Sequence, residues 1–330
     1  MPGDAVLPDF DPLAVAAGTA ARVMVTFANS PDGAAATYPL IVVAGARPGP
    51  TAVFTGGIHG DEFEGPSALL RLADSLEPRA LAGRVLIVPV AHGAAFAAGS
   101  RTSPIDGQNL ARLFPGDAGG TVSFRLAHDL FERVVARADF LVDCHSGGIR
   151  LAFLPVAGFY GAAPAIAAEA AAGSLALARD MGLPHLWRLP WRAGVLSCEA
   201  MCRGIPAAGC EIGGRGGLLA ADSDLYLQGL RRILARRGML AAADLAEPPA
   251  YRTCLDGDWA LAPVAGFIDN HVALGDRVAA GTLLATIASP LGTRLARLEA
   301  ADDGIVMGVR HLRSIQVGEW ATCVVAETAL

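Results

Sequence analysis

Apolar residues follow two different periods along the first three quarters of the chain. Short apolar runs predict strands over residues 22–28, 38–45, 51–56, 84–90 and 140–144. Apolar residues at helical spacing predict helices over residues 64–76, 121–137, 165–182 and 224–243. Because strands and helices alternate, the pattern favours an α/β fold with a mostly parallel sheet and helices on both faces.

The pattern changes after residues 246–250, Ala-Glu-Pro-Pro-Ala, which we predict to be a linker. Beyond it, short β-type runs alternate with Gly and Asp turns. Segments 275–287 and 303–306 resemble the two halves of biotinyl/lipoyl-type domains, without the lysine that those domains modify. We therefore predict a large α/β domain followed by a small β-domain resembling a barrel-sandwich hybrid. Their ranges are 1–246, with an N-terminal β-hairpin at 20–46, and 251–330.

Composition narrows the class of protein. The 330 residues are 53% hydrophobic and 18% charged, which allows a large core. The longest uncharged run, 151–168, contains prolines and glycines, so we expect no membrane span. A net charge of −6 without a long basic block does not support nucleic-acid binding. The chain has no lysine, which excludes Schiff-base chemistry and P-loop nucleotide binding.

The cysteines and the N-terminal sequence both bear on the cellular compartment. The first residues are acidic and interrupted by proline, unlike a signal peptide. The six cysteines form no Cys-x-x-Cys pair. We therefore expect a cytoplasmic protein with reduced thiols. Cys144 and Cys210 each precede a candidate site residue on a strand, so their side chains are expected to point into the core.

Candidate metal ligands occur where predicted strands end. In Phe-Thr-Gly-Gly-Ile-His-Gly-Asp-Glu-Phe-Glu-Gly, residues 54–65, His59 and Glu62 lie three apart between a strand and a helix. His145 follows the strand at 140–144. The carboxyl ends of strands in an open α/β sheet share one edge, and two imidazoles with one carboxylate are a hydrolytic zinc set. Each residue alone also fits a surface position, but together they predict one Zn²⁺ per chain.

Two carboxylates are predicted to support this metal site. Glu211 lies between apolar residues and Gly213-Gly214 at a third strand end. A zinc hydrolase needs a base near the metal that does not bind it, and burial could raise the pKa of Glu211 toward the working range. The structural alternative is a carboxylate that caps the glycine-rich turn. Asp143, two residues before His145, is predicted to accept a hydrogen bond from that imidazole.

A polar loop at residues 99–116 carries two arginines between the candidate ligands. Long loops in α/β enzymes often carry function. We predict that Arg101 stabilises a developing oxyanion and that Arg112 clamps a substrate carboxylate. The alternative for each is a solvated surface arginine.

Four segments, taken together and in order, resemble the succinylglutamate desuccinylase/aspartoacylase branch of the zinc carboxypeptidase superfamily. They are His-Gly-Asp-Glu, Asn-Leu-Ala-Arg-Leu-Phe-Pro-Gly, Asp-Cys-His-Ser-Gly-Gly and Glu-Ile-Gly-Gly. The resemblance covers residues 50–330. Within this branch, Gly-Gly-Ile-His-Gly-Asp-Glu-Phe-Glu-Gly-Pro and Arg-Thr-Ser-Pro-Ile-Asp-Gly are most similar to the N-acetyl-diaminobutyrate deacetylases of ectoine breakdown.

The resemblance implies a zinc-carboxypeptidase-like mixed sheet flanked by helices. It implies zinc on His59, Glu62 and His145, with Glu211 as general base and acid. The implied activity is that of a zinc-dependent amidohydrolase, which removes acetyl or a similar small acyl group from an N-acylated amino acid or diamino acid. The implied partner is therefore a small molecule, and formation of a homo-oligomer is left open.

One position departs from the family pattern. The family usually has asparagine immediately before the arginine, where this chain has Ala111 before Arg112. Loss of that amide is expected to relax or change the choice of substrate. Either Asn109 compensates by binding the substrate, or the substrate lacks the usual α-carboxylate.

Four alternatives remain at this point. A succinylglutamate desuccinylase/aspartoacylase-type deacylase would use the same site on another acyl group. A peptide carboxypeptidase needs a wide cleft, which Ala111 and the added β-domain argue against. A non-haem iron oxygenase is disfavoured, because its two-histidine, one-carboxylate triad normally lies on an all-β scaffold. A metal-stabilised binding protein would have no need of an uncoordinated Glu211.

Overall fold

The computed structural model describes residues 5–29, 35–241 and 252–328. The predicted linker at 246–250 lies outside these ranges. In chain order the strands are β1 Ala5–Leu7, β2 Thr19–Asn29, β3 Ala35–Ala44, β4 Arg47–Gly56, β5 Ala82–Val88, β6 Phe140–His145, β7 Leu151–Phe159, β8 His185–Arg188, β9 Ala207–Gly214, β10 Arg252–Leu261, β11 Gly266–Asn270, β12 Arg277–Val278, β13 Leu283–Ala288, β14 Arg294–Glu299, β15 Gly304–Arg310, β16 Ser314–Ile315 and β17 Trp320–Thr328. The α-helices are α1 Glu64–Ser75, α2 Gly93–Ala98, α3 Val122–Arg133, α4 Ala168–Met181, α5 Leu196–Cys202 and α6 Ala220–Arg236. Short 3-10 helices lie at Pro12–Ala14, Leu110–Arg112 and Val135–Arg137.

Thirteen of the described strands form one mixed sheet, in the order β1-β2-β3-β5-β4-β6-β9-β7-β8-β10-β17-β15-β12. Its centre, β5-β4-β6-β9, is parallel. This confirms the predicted mixed sheet with flanking helices. Because parallel neighbours end at the same edge, the carboxyl ends of β4, β6 and β9 lie side by side.

Side chains alternate across the central strands and divide the core in two. On β6, Leu141 packs in the core that contains residues of α3 and α5, whereas Phe140, Val142 and Cys144 pack in the core that contains residues of α1 and α6. Cys144 is in register with Cys210 on β9, and both side chains are buried in the second core. None of the helices in the described ranges is both long and apolar enough to cross a membrane.

The C-terminal strands continue the large sheet. β10 pairs with β8, and β15 pairs with β7, so that β7, β8, β10, β17 and β15 close into a ring. Phe153, Met307 and Val325 are among the residues packed there. A second, antiparallel sheet of β14-β13-β11-β16 has its own small core with Ile268 and Ile287. The C-terminal strand β15 therefore lies beside the amino end of β7, which in turn pairs with the carboxyl end of β9.

Candidate active site

Two imidazoles converge on one buried carboxylate where β4 and β6 end. The turn between Gly56 and Glu64 holds His59 and Glu62, and His145 is the last residue of β6. Nδ1 of His59 lies 2.7 Å from Oε1 of Glu62, and Nδ1 of His145 lies 2.9 Å from Oε2. One ligand atom from each of the three residues falls within 4.8 Å of the others. The spatial cluster is therefore the one expected from the sequence.

Glycines allow the turn that presents His59. Gly57 has a φ of +62°, a region that other residues rarely adopt. A Cβ at Gly60 would lie 2.0 Å from the carbonyl carbon of Ala95, so the turn packs directly on α2. A side chain at either glycine would push His59 away from the sheet edge.

The outer nitrogen of each imidazole is held by a side-chain oxygen. Nε2 of His59 donates to Oδ1 of Asn109 at 3.1 Å, and Nε2 of His145 donates to Oδ2 of Asp143 at 3.0 Å. Thr55 donates from its hydroxyl to the other oxygen of Asp143 at 2.7 Å. With Nε2 held by these oxygens, each ring turns its Nδ1 toward the shared carboxylate of Glu62.

Asn109 has a contact that the sequence did not indicate. Its Oδ1 also accepts from the backbone N–H of Ala111 at 3.0 Å, at the start of a 3-10 helix. The amide oxygen is thus used to orient His59 and to begin this helix. Substrate binding by Asn109 remains a prediction that would use its NH₂ group.

The charges of the cluster favour a cation. Burial lowers the pKa of His59. Against the effect of burial, Asp143 and Glu62 raise the pKa of His145 well above its usual value. The two imidazoles likewise hold the pKa of Glu62 well below its usual range, although burial opposes them. Two carboxylates beside two imidazoles attract positive charge, and the Nδ1, Nδ1 and carboxylate set fits Zn²⁺.

Glu211 lies on β9, in register with His145 on β6. Its Oε2 is buried and has no hydrogen-bond partner among the described residues. Burial raises the pKa of Glu211 to about 8, and Glu62 adds to this while His145 and Arg101 oppose it. A carboxyl group in this state can exchange protons near neutral pH.

The glycine-rich turn after β9 is held by another carboxylate. Glu64, buried at the start of α1, accepts from the backbone N–H of Gly214 at 2.8 Å. This is the capping role that was the structural alternative for Glu211. Sequence reasoning missed Glu64, because a glutamate in the first turn of a helix is common on exposed surfaces.

Three arginines line a cavity of about 360 Å³ next to the imidazoles. Arg101 donates to Oε1 of Glu62 at 3.2 Å. Arg112 donates to the carbonyl of Ala111 at 2.7 Å, and burial together with the charges of Arg192 and Arg101 lowers its pKa. Neither Arg112 nor Arg192 forms an ion pair with a described carboxylate. Arg192 was missed, since nothing in Leu-Pro-Trp-Arg-Ala-Gly distinguishes it from a surface arginine.

Aromatic side chains also line this cavity of about 360 Å³, which we call the catalytic cavity. Trp187 on β8, Trp259 on β10 and Trp320 on β17 line it. The rings of Trp259 and Trp320 stack with centroids 4.9 Å apart and planes within 8°. Tyr160 and Ser197 also line it, with their hydroxyl oxygens 2.9 Å apart. The C-terminal strands therefore complete the cavity that holds the candidate ligands.

Comparison with known proteins agrees with this geometry. The family model of the succinylglutamate desuccinylase/aspartoacylase catalytic domain matches residues 48–237. The chain is 35% identical over 302 residues to an N-alpha-acetyl-L-2,4-diaminobutyric acid deacetylase of Halomonas elongata, covering 89% of this chain and 86% of that protein.

Two solved structures are similar over nearly the whole chain. The product-bound ectoine utilization protein EutE (DoeB) from Ruegeria pomeroyi has a TM-score of 0.86 and 29% identity, covering 95% of this chain and 98% of that one. A succinylglutamate desuccinylase from a Silicibacter species has a TM-score of 0.87 and 28% identity, covering 99% and 100%. The chain belongs to the succinylglutamate desuccinylase/aspartoacylase family.

Proposed function

We propose that the chain is a zinc-dependent amidohydrolase that removes acetyl, or a similar small acyl group, from an N-acylated amino acid or diamino acid. The observation that carries the proposal is the unpartnered buried oxygen of Glu211, one strand away from a His59, Glu62 and His145 cluster. The Halomonas relative, named as a deacetylase of an acetylated diamino acid, supports the choice of substrate.

In this proposal His59, Glu62 and His145 hold one Zn²⁺, with Asn109 and Asp143 orienting the two rings. Zinc bound there would polarise an amide carbonyl and lower the pKa of a water molecule. The residues of the chain itself supply proton transfer and substrate orientation.

The arginines orient the substrate. Arg112 and Arg192 line the catalytic cavity without a carboxylate partner, so both are available for a substrate carboxylate. Arg101 lies beside Glu62, where its guanidinium can donate to the oxygen of an attacked carbonyl.

Glu211 moves the proton. Its carboxylate takes a proton from the water that attacks the amide carbon. As the C–N bond breaks, the same proton passes to the leaving amine, which gives a free carboxylic acid and an amine. A pKa raised by burial suits both transfers, because it makes the carboxylate a stronger base toward water and keeps the proton available for the leaving amine.

The cavity favours a small substrate over a peptide. Trp259 and Trp320, which lie on the C-terminal strands β10 and β17, line the cavity. Its volume of about 360 Å³ suits an acylated amino acid. This supports a deacylase over a carboxypeptidase.

A screen of acyl release tests the proposal. Purified zinc-loaded protein is incubated with N-acetyl, N-formyl and N-succinyl derivatives of amino acids and diamino acids, and the free amine is measured. We expect release from an N-acetyl derivative and none after the metal is removed by a chelator. Bound zinc without release from any compound would overturn the proposal and favour a binding protein.

A further inference from the structure

We propose that Asp61 binds a cationic group of the substrate, so that the enzyme prefers N-acylated diamino acids, which carry a second, free ammonium group, over other N-acylated amino acids. This inference rests on the proposed function and adds a residue that determines specificity. It is carried by a second cavity and by the unpaired oxygen of a buried carboxylate.

The second cavity adjoins the catalytic one. Its volume is about 250 Å³, and it shares Arg101, Arg112 and Trp320 with the catalytic cavity. Asp61 lines this second cavity, where the turn carrying His59 and Glu62 approaches the C-terminal strands. A ligand held at Arg112 can therefore extend one of its ends toward Asp61.

The carboxylate of Asp61 is held in place, but only one of its two oxygens accepts a hydrogen bond. The residue is 2% exposed, and its Oδ2 accepts from the backbone N–H of Ile149 at 3.2 Å. A Cβ at Gly148 would lie 2.5 Å from Oδ2, so a glycine there allows this close approach. Oδ1 is buried and has no hydrogen-bond partner in the described parts of the chain. A buried charged oxygen without a partner is costly, so its position favours a ligand that donates hydrogen bonds.

The other carboxylate of this second cavity is already paired. Glu319 accepts from Arg310 at 2.8 Å and also pairs with Arg150. Asp61 and Arg112 are left as opposite charges without an ion-pair partner among the described residues. An Nα-acylated diamino acid offers the matching pair, a carboxylate for Arg112 and an ammonium group for Asp61.

The test compares two substrates that differ only in the amine. The zinc-loaded enzyme and its D61N variant are assayed with Nα-acetyl-L-2,4-diaminobutyrate and with Nα-acetyl-L-2-aminobutyrate. Asparagine keeps the acceptor for Ile149 but removes the charge. We expect the wild type to favour the diamino compound at least about tenfold in kcat/KM, and D61N to lose most of this preference through KM.

E319Q is the matched control. It removes a negative charge from the same cavity, but from a carboxylate that already forms ion pairs with two arginines. We expect it to change both substrates alike and to leave the preference intact. Equal preference in the wild type and D61N, or no preference in the wild type, would overturn the inference.

Failure of the proposed function gives a different result, because neither compound would then be hydrolysed. Calorimetric binding of L-2,4-diaminobutyrate and L-2-aminobutyrate to the wild-type enzyme decides the role of Asp61 in that case. Equal affinities would overturn it, and tighter binding of the diamino acid that is lost in D61N would support it.

Discussion

Glu64, buried on α1, and Glu211, half-buried on β9, are two carboxylates with different surroundings. Glu64 accepts from the backbone of Gly214 and holds the turn after β9. Because that turn is held without it, Glu211 keeps one oxygen unpartnered beside His145. In the proposed mechanism, Glu211 can therefore exchange a proton without breaking a hydrogen bond that holds this turn.

Replacing Glu211 by glutamine tests its role as the base. The amide keeps the size of the side chain but cannot take a proton, so we expect kcat/KM to fall by about 10²- to 10⁴-fold. Zinc content, measured by mass spectrometry, should stay at one per chain because Glu211 is not among the proposed ligands. E169Q, on the exposed first turn of α4, should retain activity. Turnover of E211Q within a few-fold of the wild type would refute the mechanism.

We propose that Asp143 acts through His145, whose Nε2 it contacts. D143N keeps an acceptor for the hydroxyl of Thr55 but removes the negative charge beside the imidazole. We expect zinc affinity to fall by about 10- to 100-fold, measured by competition with a chromogenic chelator. The same change at Asp139, which accepts from the backbone of Thr51 before β6 begins, should leave affinity unchanged. Equal affinities for both variants would show that the carboxylate does not support the ligand.

At the residue scale, spacing and strand ends predicted which side chains would meet, because the edge of a parallel sheet brings them together. His59, Glu62, His145 and Glu211 required only this rule. Asp61 was not predicted as a site residue, since its significance lies in an oxygen without a partner, which no spacing reveals. The rotamer of a side chain, and therefore the atoms it contacts, is fixed by tertiary packing and cannot be predicted from residue spacing.

At the scale of elements, the loop at 99–116 is anchored to α3 by one side chain. Asp106 accepts from the hydroxyl of Thr121 at 2.6 Å, and from the N–H and hydroxyl of Ser123 at 3.0 and 2.8 Å. It therefore caps the start of α3 from within the loop that carries Arg101 and Arg112. Although partial burial acts in the opposite sense, these hydrogen bonds hold the pKa of Asp106 well below its usual range.

Replacing Asp106 by asparagine should destabilise the protein by about 1 kcal/mol at pH 7. A depressed pKa in the folded state gives stability that is complete above the pKa of the unfolded chain, near 4, and is lost as pH falls below it. The difference between the wild type and D106N, taken from chemical denaturation, should therefore be constant from pH 7 to 5 and shrink below about pH 4. D117N, which changes an aspartate with one hydrogen bond to Gly119, should show a smaller and less pH-dependent effect. A difference that grows toward low pH would contradict this assignment.

Helices and strands whose apolar residues follow a clear period were predicted from the sequence, whereas β7 was not. Its segment contains Pro155 and several small residues, and these residue types disfavour a strand. In the structure, the pairing of β7 with β9 shifts register between Phe153 and Val156, so that Pro155 lies where the ladder is interrupted. Pairing with β8 and β15 then stabilises the strand. Such long-range partners are absent from the local pattern.

At the scale of the whole molecule, the C-terminal strands β10, β17 and β15 join the large mixed sheet by closing a ring with β7 and β8. The sequence indicated a separate β-domain with a structural role. Side chains from β10 and β17 nevertheless line the catalytic cavity. Substrate size is therefore expected to depend on residues far along the chain from the metal ligands.

Trp259 should set the size of the acyl group. It lines the catalytic cavity but not the cavity with Asp61, and it stacks on Trp320 and packs edge-on against Phe153. If the arginines bind the charged end of the substrate, as proposed, the uncharged acyl group is expected against these aromatic side chains. W259L keeps an apolar surface and enlarges the cavity. We expect the ratio of kcat/KM for N-butyryl over N-acetyl substrate to rise about tenfold, since a methylene or two in an apolar pocket is worth that much.

The control is W191L, which removes an indole from a position that is 54% exposed and should leave the ratio unchanged. Both ratios are read at equal zinc content, so that loss of metal cannot produce the effect. If W259L lowers activity on both acyl groups alike, the tryptophan wall supports the fold of the C-terminal strands and does not contact the acyl group. A selective gain for the butyryl substrate would place the acyl group against Trp259. The C-terminal strands would then help to determine which acyl groups the enzyme accepts.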